Sequence, residues 1–292
     1  MEYFVSVGQK AYHDWQVELL IQSFKEHNLQ KNLTIAGADV GENRYEFLSN
    51  ILNHEKFFSH QSIGLKRGFQ PLDEIYSLSF CLEKKRIGNS ICLMQPHTVL
   101  KNPYYLDELK TNYASANVAI DPFFTFDQAE KNAGKFWEKQ AHNREYYLKN
   151  WLPVGNIILL NNIPEQLVFR TTIVAEQIIL NQIIQKIPVW KETIRLAWVI
   201  SIVDYLGNIE VKGSYNITSN MNDGNSTPFI DYADGLPPVF NKSMFSFKPP
   251  LCMSFGDPIE VLATCKMSPN ANYISEISEK ILKSRVKSEP TP

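Results

Sequence analysis

The sequence predicts an α/β protein built on a mostly parallel central sheet with helices on both faces. Three observations carry that expectation. A strand-like run opens the chain and gives way to a polar loop and an amphipathic helical pattern; the same alternation continues to about residue 100, as in strand-helix-strand crossover units. One strand of this series ends abruptly in polar groups. The apolar fraction of 44% over 292 residues supports a large core.

The elements follow in order. Tyr3-Phe4-Val5-Ser6-Val7 reads as the first strand and Gly8 to Asp14 as a polar loop, with Asp14 an N-cap. Val17, Leu20, Ile21 and Phe24 then fall at i, i+3, i+4, i+7, the spacing of an amphipathic helix. Leu33 to Ala36 reads as a second strand, closed by Gly37-Ala38-Asp39-Val40-Gly41. Ile75, Leu78 and Leu82 mark a second helix, ending in Glu83-Lys84-Lys85-Arg86-Ile87-Gly88 with bases in its last turn and a glycine stop. Next comes a buried strand, Ile91-Cys92-Leu93-Met94, which runs into Gln95-Pro96-His97 and leaves through apolar residues toward Lys101-Asn102-Pro103. Ligands of open α/β sheets bind beyond the carboxyl ends of the strands, so the loops Gly8 to Asp14 and Gln95 to Thr98 are expected at that edge.

The second half is less regular. Val154 to Leu160 reads as a strand, Ala197 to Val203 as a strand or a helix, and Ile173 to Ile187, apolar almost all round, as a buried helix. Ser219 to Thr227 is a loop by composition. Ile274, Ile277 and Ile281 mark one last helix before a disordered tail, "KSEPTP". The expected organisation is one catalytic domain over residues 1–250 and a C-terminal extension over 251–292, with no internal repeat.

Composition removes several classes of function. A formal net charge of −2 gives no overall footprint for nucleic acid or an anionic membrane, although a local basic groove would not show in the sum. No run of about 18 apolar residues occurs, so no transmembrane segment is expected, and the direct start on a strand suggests a cytoplasmic protein. Cys81, Cys92, Cys252 and Cys265 form no Cys-x-x-Cys pair and read as buried thiols. The glycine loops of dinucleotide and P-loop proteins, the Gly-x-Ser-x-Gly elbow and His-Glu-x-x-His are all absent from the sequence.

Three stretches remain for chemistry. "AYHDWQ", Ala11 to Gln16, sits at the mouth of the first strand-helix connection and on its own reads as a helix start. "GLKRGF", Gly64 to Phe69, could bring backbone amides and the Lys66-Arg67 pair to a phosphate, and a solvated turn explains it equally well. Gln95-Pro96-His97 ends a strand, where a lone histidine is more often a hydrogen-bonded structural group than a ligand.

Taken in order, these stretches resemble the peptidyl-hydroxyproline arabinosyltransferases and peptidyl-serine galactosyltransferases of plants and algae, nucleotide-sugar enzymes of the GT-A fold. Tyr12-His13-Asp14-Trp15-Gln16 matches that family's Tyr-x-x-Trp-Gln helix start. "GLKRGF" and Leu82-Glu83-Lys84 match its Gly-Leu-x-Arg-Gly-aromatic turn and the Leu-Glu-Lys end of the helix that follows. Gln95-Pro96-His97, shortly before Pro103, stands where the family has an acidic-Pro-Asp motif. Val118 to Phe124, "VAIDPFF", resembles its Pro-Phe-Phe segment, Val154-Gly155-Asn156 its Ile-Gly-Asn segment, and Asp231 to Gly235, "DYADG", its His-Tyr-x-x-Gly. The likeness covers roughly residues 3–250, and its strength lies in the sequence of matches.

The resemblance implies a retaining glycosyltransferase that uses a UDP-sugar and an unknown acceptor, with a Mn²⁺ or Mg²⁺ ion neutralising the diphosphate. The departures are chemical: Gln95 and His97 replace the two strand-end acids, while Asp231 stands where the family has a histidine. A carboxylate and an imidazole have changed places, and the site keeps one of each. Such a donor set suits Mn²⁺ better than Mg²⁺. Alternatively, Gln95 and His97 bond the diphosphate directly and Lys66 or Arg67 supplies the charge. The third reading is a degenerate site on a sugar-nucleotide-binding or glycan-binding protein. Implied metal ligands are His97 and Asp231; implied nucleotide-sugar contacts are Tyr12, Trp15, Lys66, Arg67, Gln95 and Asn156; implied catalytic or acceptor-side groups are Glu192 and Asp121.

Overall fold

The structure, a computed structural model, describes residues 2–8, 13–39, 56–61, 70–88, 90–103, 113–116, 157–160, 212–214, 217–218, 229–232 and 256–288, with part of 172–186. Strands β1 (Glu2–Val7), β2 (Leu33–Ala38), β3 (Phe57–His60), β4 (Ile91–Met94), β6 (Tyr113–Ala116), β7 (Ile157–Leu160) and β8 (Lys212–Ser214) form one sheet in the order β3-β2-β1-β4-β7-β6-β8. The β3-β2-β1-β4 half is parallel throughout. Strand β7 runs against both of its neighbours, β4 and β6, and β8 is parallel to β6. A smaller sheet has the order β5-β10-β9, from β5 (Thr98–Leu100), β10 (Phe229–Asp231) and β9 (Ile217–Thr218). The expected α/β class with a mostly parallel sheet is therefore what the chain forms.

Alternation along β1 explains the helices on both faces. Tyr3, Val5 and Val7 join Val17, Leu20, Ile21 and Phe24 of helix α1 (Asp14–Glu26) in one apolar cluster, which extends to Leu33 and Ile35 of β2 and Met94 of β4. On the opposite face the Ser6 hydroxyl donates to Ser77 of helix α2 (Gln70–Glu83) at 2.9 Å. With a helix on each side, β1 and β2 are buried almost end to end and read as near-continuous apolar runs.

Both long N-terminal helices end by the same device. Asn28 (φ 58°) and Lys85 (φ 51°) take the left-handed conformation just past the helix. Around them Asn28 N–H bonds Lys25 O at 3.1 Å and Leu29 N–H bonds Phe24 O at 3.0 Å; Lys85 N–H bonds Leu82 O at 3.0 Å and Arg86 N–H bonds Cys81 O at 2.8 Å. This paired 5→2 and 6→1 pattern satisfies the last free carbonyls. The glycine stop expected at Gly88 is thus pre-empted by Lys85, and the bases lie beyond the last turn of α2. Asp14 likewise occupies the first turn of α1, with His13 at the cap position, where no side-chain cap bond forms.

Helix α1 is buried on two sides. Trp15 and Leu19 face a second cluster with Val99, Ile230 and Tyr232 and with Ile259, Leu262, Ile274, Ile277 and Ile281 of the C-terminal helices α3 (Pro258–Ala263) and α4 (Pro269–Ser288). The isoleucine pattern expected for one last helix lies on α4, and α3 precedes it, started by Pro258 and capped by Asp257, whose side chain accepts from Ile259 N–H at 2.9 Å. Arg285 ties the layers together by bonding both Glu18 of α1 and Asp257. These paired carboxylates hold its guanidinium pKa above the ordinary value. Residues 251–255 and 289–292 lie outside the described residues.

The segment expected as a helix buried all round is helical at its described residues, but only Ala175 and Ile179 are buried, while Ile173, Leu180, Ile183 and Ile184 are exposed. The other apolar residues of this segment lie outside the described residues. Cys81, Cys92 and Cys265 are buried free thiols, as expected, and burial pushes Cys81 up to about 12; Cys252 lies outside the described residues. No helix among the described residues is long and apolar enough to cross a membrane.

Candidate functional site

Because β1 and β4 are parallel neighbours, with Tyr3 paired to Cys92 and Val5 to Met94, the loops after Val7 and after Met94 leave from one edge. That edge also receives the ends of β2 and β3, with Asp39 (φ 49°) and His60. The His60 ring accepts or donates at 2.6 Å to the Ser77 hydroxyl and stacks on Phe80.

Gln95-Pro96-His97-Thr98 is a tight turn joining the two sheets. The Gln95 carbonyl accepts from Thr98 N–H at 3.2 Å and from the Thr98 hydroxyl at 2.7 Å. Pro96 occupies the second turn position, where a fixed φ helps. Beyond the turn, β5 pairs antiparallel with β10, setting Thr98 opposite Asp231 and Val99 opposite Ile230. Tyr232 N–H then donates to His97 O at 3.1 Å. His97 and Asp231, far apart in sequence, are thus adjacent in backbone at the tip of β4. His97 is half-buried, with Nε2 shielded from solvent.

The neighbourhood of this turn is built by packing. The Trp15 and Tyr232 rings lie 6.0 Å apart, and the Tyr232 hydroxyl reaches the Pro96 carbonyl at 3.5 Å. Trp15 is buried within the cluster shared with the C-terminal helices. Gln95 is held from the other side, since its Nε2 donates to Glu74 Oε1 of α2 at 2.6 Å. Sequence reasoning passed over Glu74, and it met Tyr232 only as part of the Asp231 to Gly235 match; an acid in the early turns of α2 was the available signal, but nothing local tied it to a residue on a later strand.

Of the ten candidate residues, the structure brings together Gln95, His97 and the backbone of Asp231, with Trp15 behind them. Tyr12, Lys66, Arg67, Asp121, Asn156 and Glu192 lie outside the described residues. Of the residues brought together, the side chains of Gln95, His97 and Trp15 are described, while Asp231 is placed by its backbone pairing alone. Among the described residues, no three His, Cys, Asp or Glu side chains converge on one point.

No family profile matches the sequence, and no curated protein matches it. Among solved structures the chain is similar to the galactosyltransferase LgtC in complex with donor and acceptor sugar analogues, at 9% identity and a TM-score of 0.48 over 100% of this chain and 98% of that one. It is similar to the glycosyltransferase GlyE of Streptococcus pneumoniae TIGR4, at 12% identity and a TM-score of 0.44 over 100% of this chain and 65% of that one. It is also similar to a cytidylyltransferase from Leptospira borgpetersenii, at 7% identity and a TM-score of 0.45 over 100% of this chain and 97% of that one. At these identities the likeness concerns the path of the backbone alone.

Proposed function

We propose that this chain is a nucleotide-sugar-dependent glycosyltransferase of the GT-A type, retaining and UDP-sugar-using, in which Gln95-Pro96-His97 does the work of the acidic strand-end motif. One observation carries the reading: the β5–β10 pairing, with the Tyr232 to His97 hydrogen bond, puts an imidazole-bearing turn beside Asp231 at the carboxyl edge of the sheet. That is the edge where α/β sheets bind nucleotides.

Sugar transfer from a nucleotide passes through an oxocarbenium-like state while negative charge builds on the departing diphosphate. Stabilising that charge is the largest task of the site. In this reading His97 and Asp231 would hold a Mn²⁺ ion, which would supply charge neutralisation when bound, and Gln95 would contact the nucleotide sugar beside it. Lys66 and Arg67 address the phosphates, Tyr12 and Asn156 line the donor, and Glu192 and Asp121 serve the reacting sugar and the acceptor. The buried free thiols suit a reducing compartment, in keeping with a cytoplasmic enzyme.

Calorimetry with UDP, with and without Mn²⁺, and UDP release from a panel of UDP-sugars test the reading together. Metal-dependent UDP binding with turnover of at least one sugar is the expected result. UDP binding indifferent to Mn²⁺ would move the charge to Lys66 and Arg67. Binding without turnover would leave a sugar-nucleotide-binding protein, and absence of both would remove the proposal.

A further inference from the structure

Parallel strands in the order β3-β2-β1-β4 form the half-sheet of open α/β nucleotide-binding folds. In dinucleotide-binding domains the phosphates lie at the end of the first strand, and an acid at the end of the second takes the ribose hydroxyls. The glycine loop of those domains is missing here, so only the path of the strands is shared. Val7 and Gly8 end β1 without a polar side chain. His60 ends β3, but protein groups take both ring nitrogens, the Gln61 carbonyl at Nδ1 (3.0 Å) and the Ser77 hydroxyl at Nε2 (2.6 Å). Gln95 follows β4 and gives its Nε2 to Glu74. Asp39 follows β2, and among the described residues just past these strands it alone is acidic.

The main chain of Asp39 is held in place. Its φ of 49° is a left-handed conformation that aspartate tolerates, and its N–H donates to the His60 carbonyl at 2.8 Å. The His60 ring is fixed by Ser77, which accepts from Ser6 at 2.9 Å, so a hydrogen-bonded chain runs from β1 through α2 and β3 to the end of β2. Asp39 stands two places past the Val7–Gly37 pair, roughly 6–7 Å along the strand, and two strand spacings, about 10 Å, from the tip of β4. It is partly exposed.

We infer that the Asp39 carboxylate binds the vicinal diol of the donor's ribose and so selects ribonucleoside diphosphate sugars against deoxyribose donors such as dTDP-sugars. The inference rests on the glycosyltransferase reading above and deepens it. An ionised carboxylate only accepts, and its two oxygens suit two neighbouring O–H donors. A deoxyribose supplies one of them, which leaves one oxygen of a partly desolvated carboxylate without its partner.

The test is calorimetry of the full chain with UDP and dUDP in the presence of Mn²⁺, for the wild type and Asp39→Asn. Asparagine keeps the size of the side chain and suits a left-handed turn equally well, so a role confined to the turn leaves the preference between the two ligands untouched. The wild type binds UDP about tenfold or more tighter than dUDP. In Asp39→Asn, UDP affinity falls about tenfold while dUDP affinity changes less than about threefold, and the preference is largely lost. Asp39→Gly, which this backbone accepts without strain, gives the same pattern and covers the case in which the asparagine variant does not fold. Equal wild-type affinity for UDP and dUDP overturns the inference and leaves the functional reading standing, as does an equal loss of both ligands in Asp39→Asn. UDP methylated at its ring N–H separates base from sugar: a penalty for that methyl group that disappears in Asp39→Asn assigns the carboxylate to uracil and overturns the inference. A wild-type chain that binds neither UDP nor dUDP overturns the reading and the inference together.

Discussion

Replacing Ile274 by alanine tests whether the C-terminal helices belong to the same folding unit as the sheet. Ile274 is fully buried in the cluster that joins α4 to Trp15 and Leu19 of α1 and to Val99 and Ile230 of the small sheet. Truncating a buried isoleucine costs about 2–5 kcal/mol in transfer and cavity terms. Alanine recovers a few tenths of a kcal/mol through its better helix propensity. The net expectation is a loss of about 3 kcal/mol. Since α1 packs simultaneously against the sheet, that loss should lower the main urea transition followed by far-UV circular dichroism, without creating an early, separate phase. Val286→Ala on the same helix, at 74% exposure, is the control and should move the midpoint negligibly. An unchanged main midpoint in Ile274→Ala, with a small early transition, would show that residues 256–288 melt alone and would refute the shared unit.

Further outcomes follow from individual contacts. Ser23→Ala removes the buried hydroxyl that accepts from Leu100 N–H at 3.1 Å and should cost about 1–3 kcal/mol in chemical denaturation; a neutral effect would mean that bond contributes nothing. Lys85→Gly relieves a left-handed residue and should raise the melting temperature, with a gain of up to about 1 kcal/mol; a lower temperature would contradict the assigned helix end. Burial holds the His27 pKa below its ordinary 6.5, with Glu26 and backbone bonds opposing. The unfolded chain then binds that proton more readily, so this group's influence is absent above 6.5 and destabilises as pH falls below it. His27→Gln should flatten the stability profile just below 6.5, and an unchanged slope would exclude His27 as the source. His97→Ala and Asp231→Ala should each weaken Mn²⁺-dependent UDP binding by at least about tenfold, measured calorimetrically; unchanged affinity in both would end the exchanged-ligand arrangement.

The local half of this fold was open to sequence reasoning because its signals are short-range. The apolar spacing of Val17, Leu20, Ile21 and Phe24 located α1, and Ile91 to Met94 delimited β4 at the bounds observed. What escaped was made by distant partners. Trp15 and Leu19 face away from the sheet and look surplus until α3 and α4 cover them. The small sheet pairs residues near 98 with residues near 230; no periodicity announces that strand pairing, and only the family resemblance, which makes His97 and Asp231 partners, anticipated that these segments meet. The end of α2 was misjudged for a different reason: Lys85 adopts a conformation usually given to glycine, so Gly88 drew attention to the wrong position. At the candidate site, Gln95 and His97 were visible as polar groups ending a strand, whereas Glu74 acquires its meaning only when α2 folds back over β1 and β2.

The run from Ile91 to Leu100 is a strand of the large sheet at one end and of the small sheet at the other, with a three-residue corner between. A single tight turn therefore joins the two sheets through consecutive residues. A shift of β10 along β5 would break the hydrogen bond from Tyr232 N–H to the His97 carbonyl, so the register of the small sheet and the position of His97 are set together.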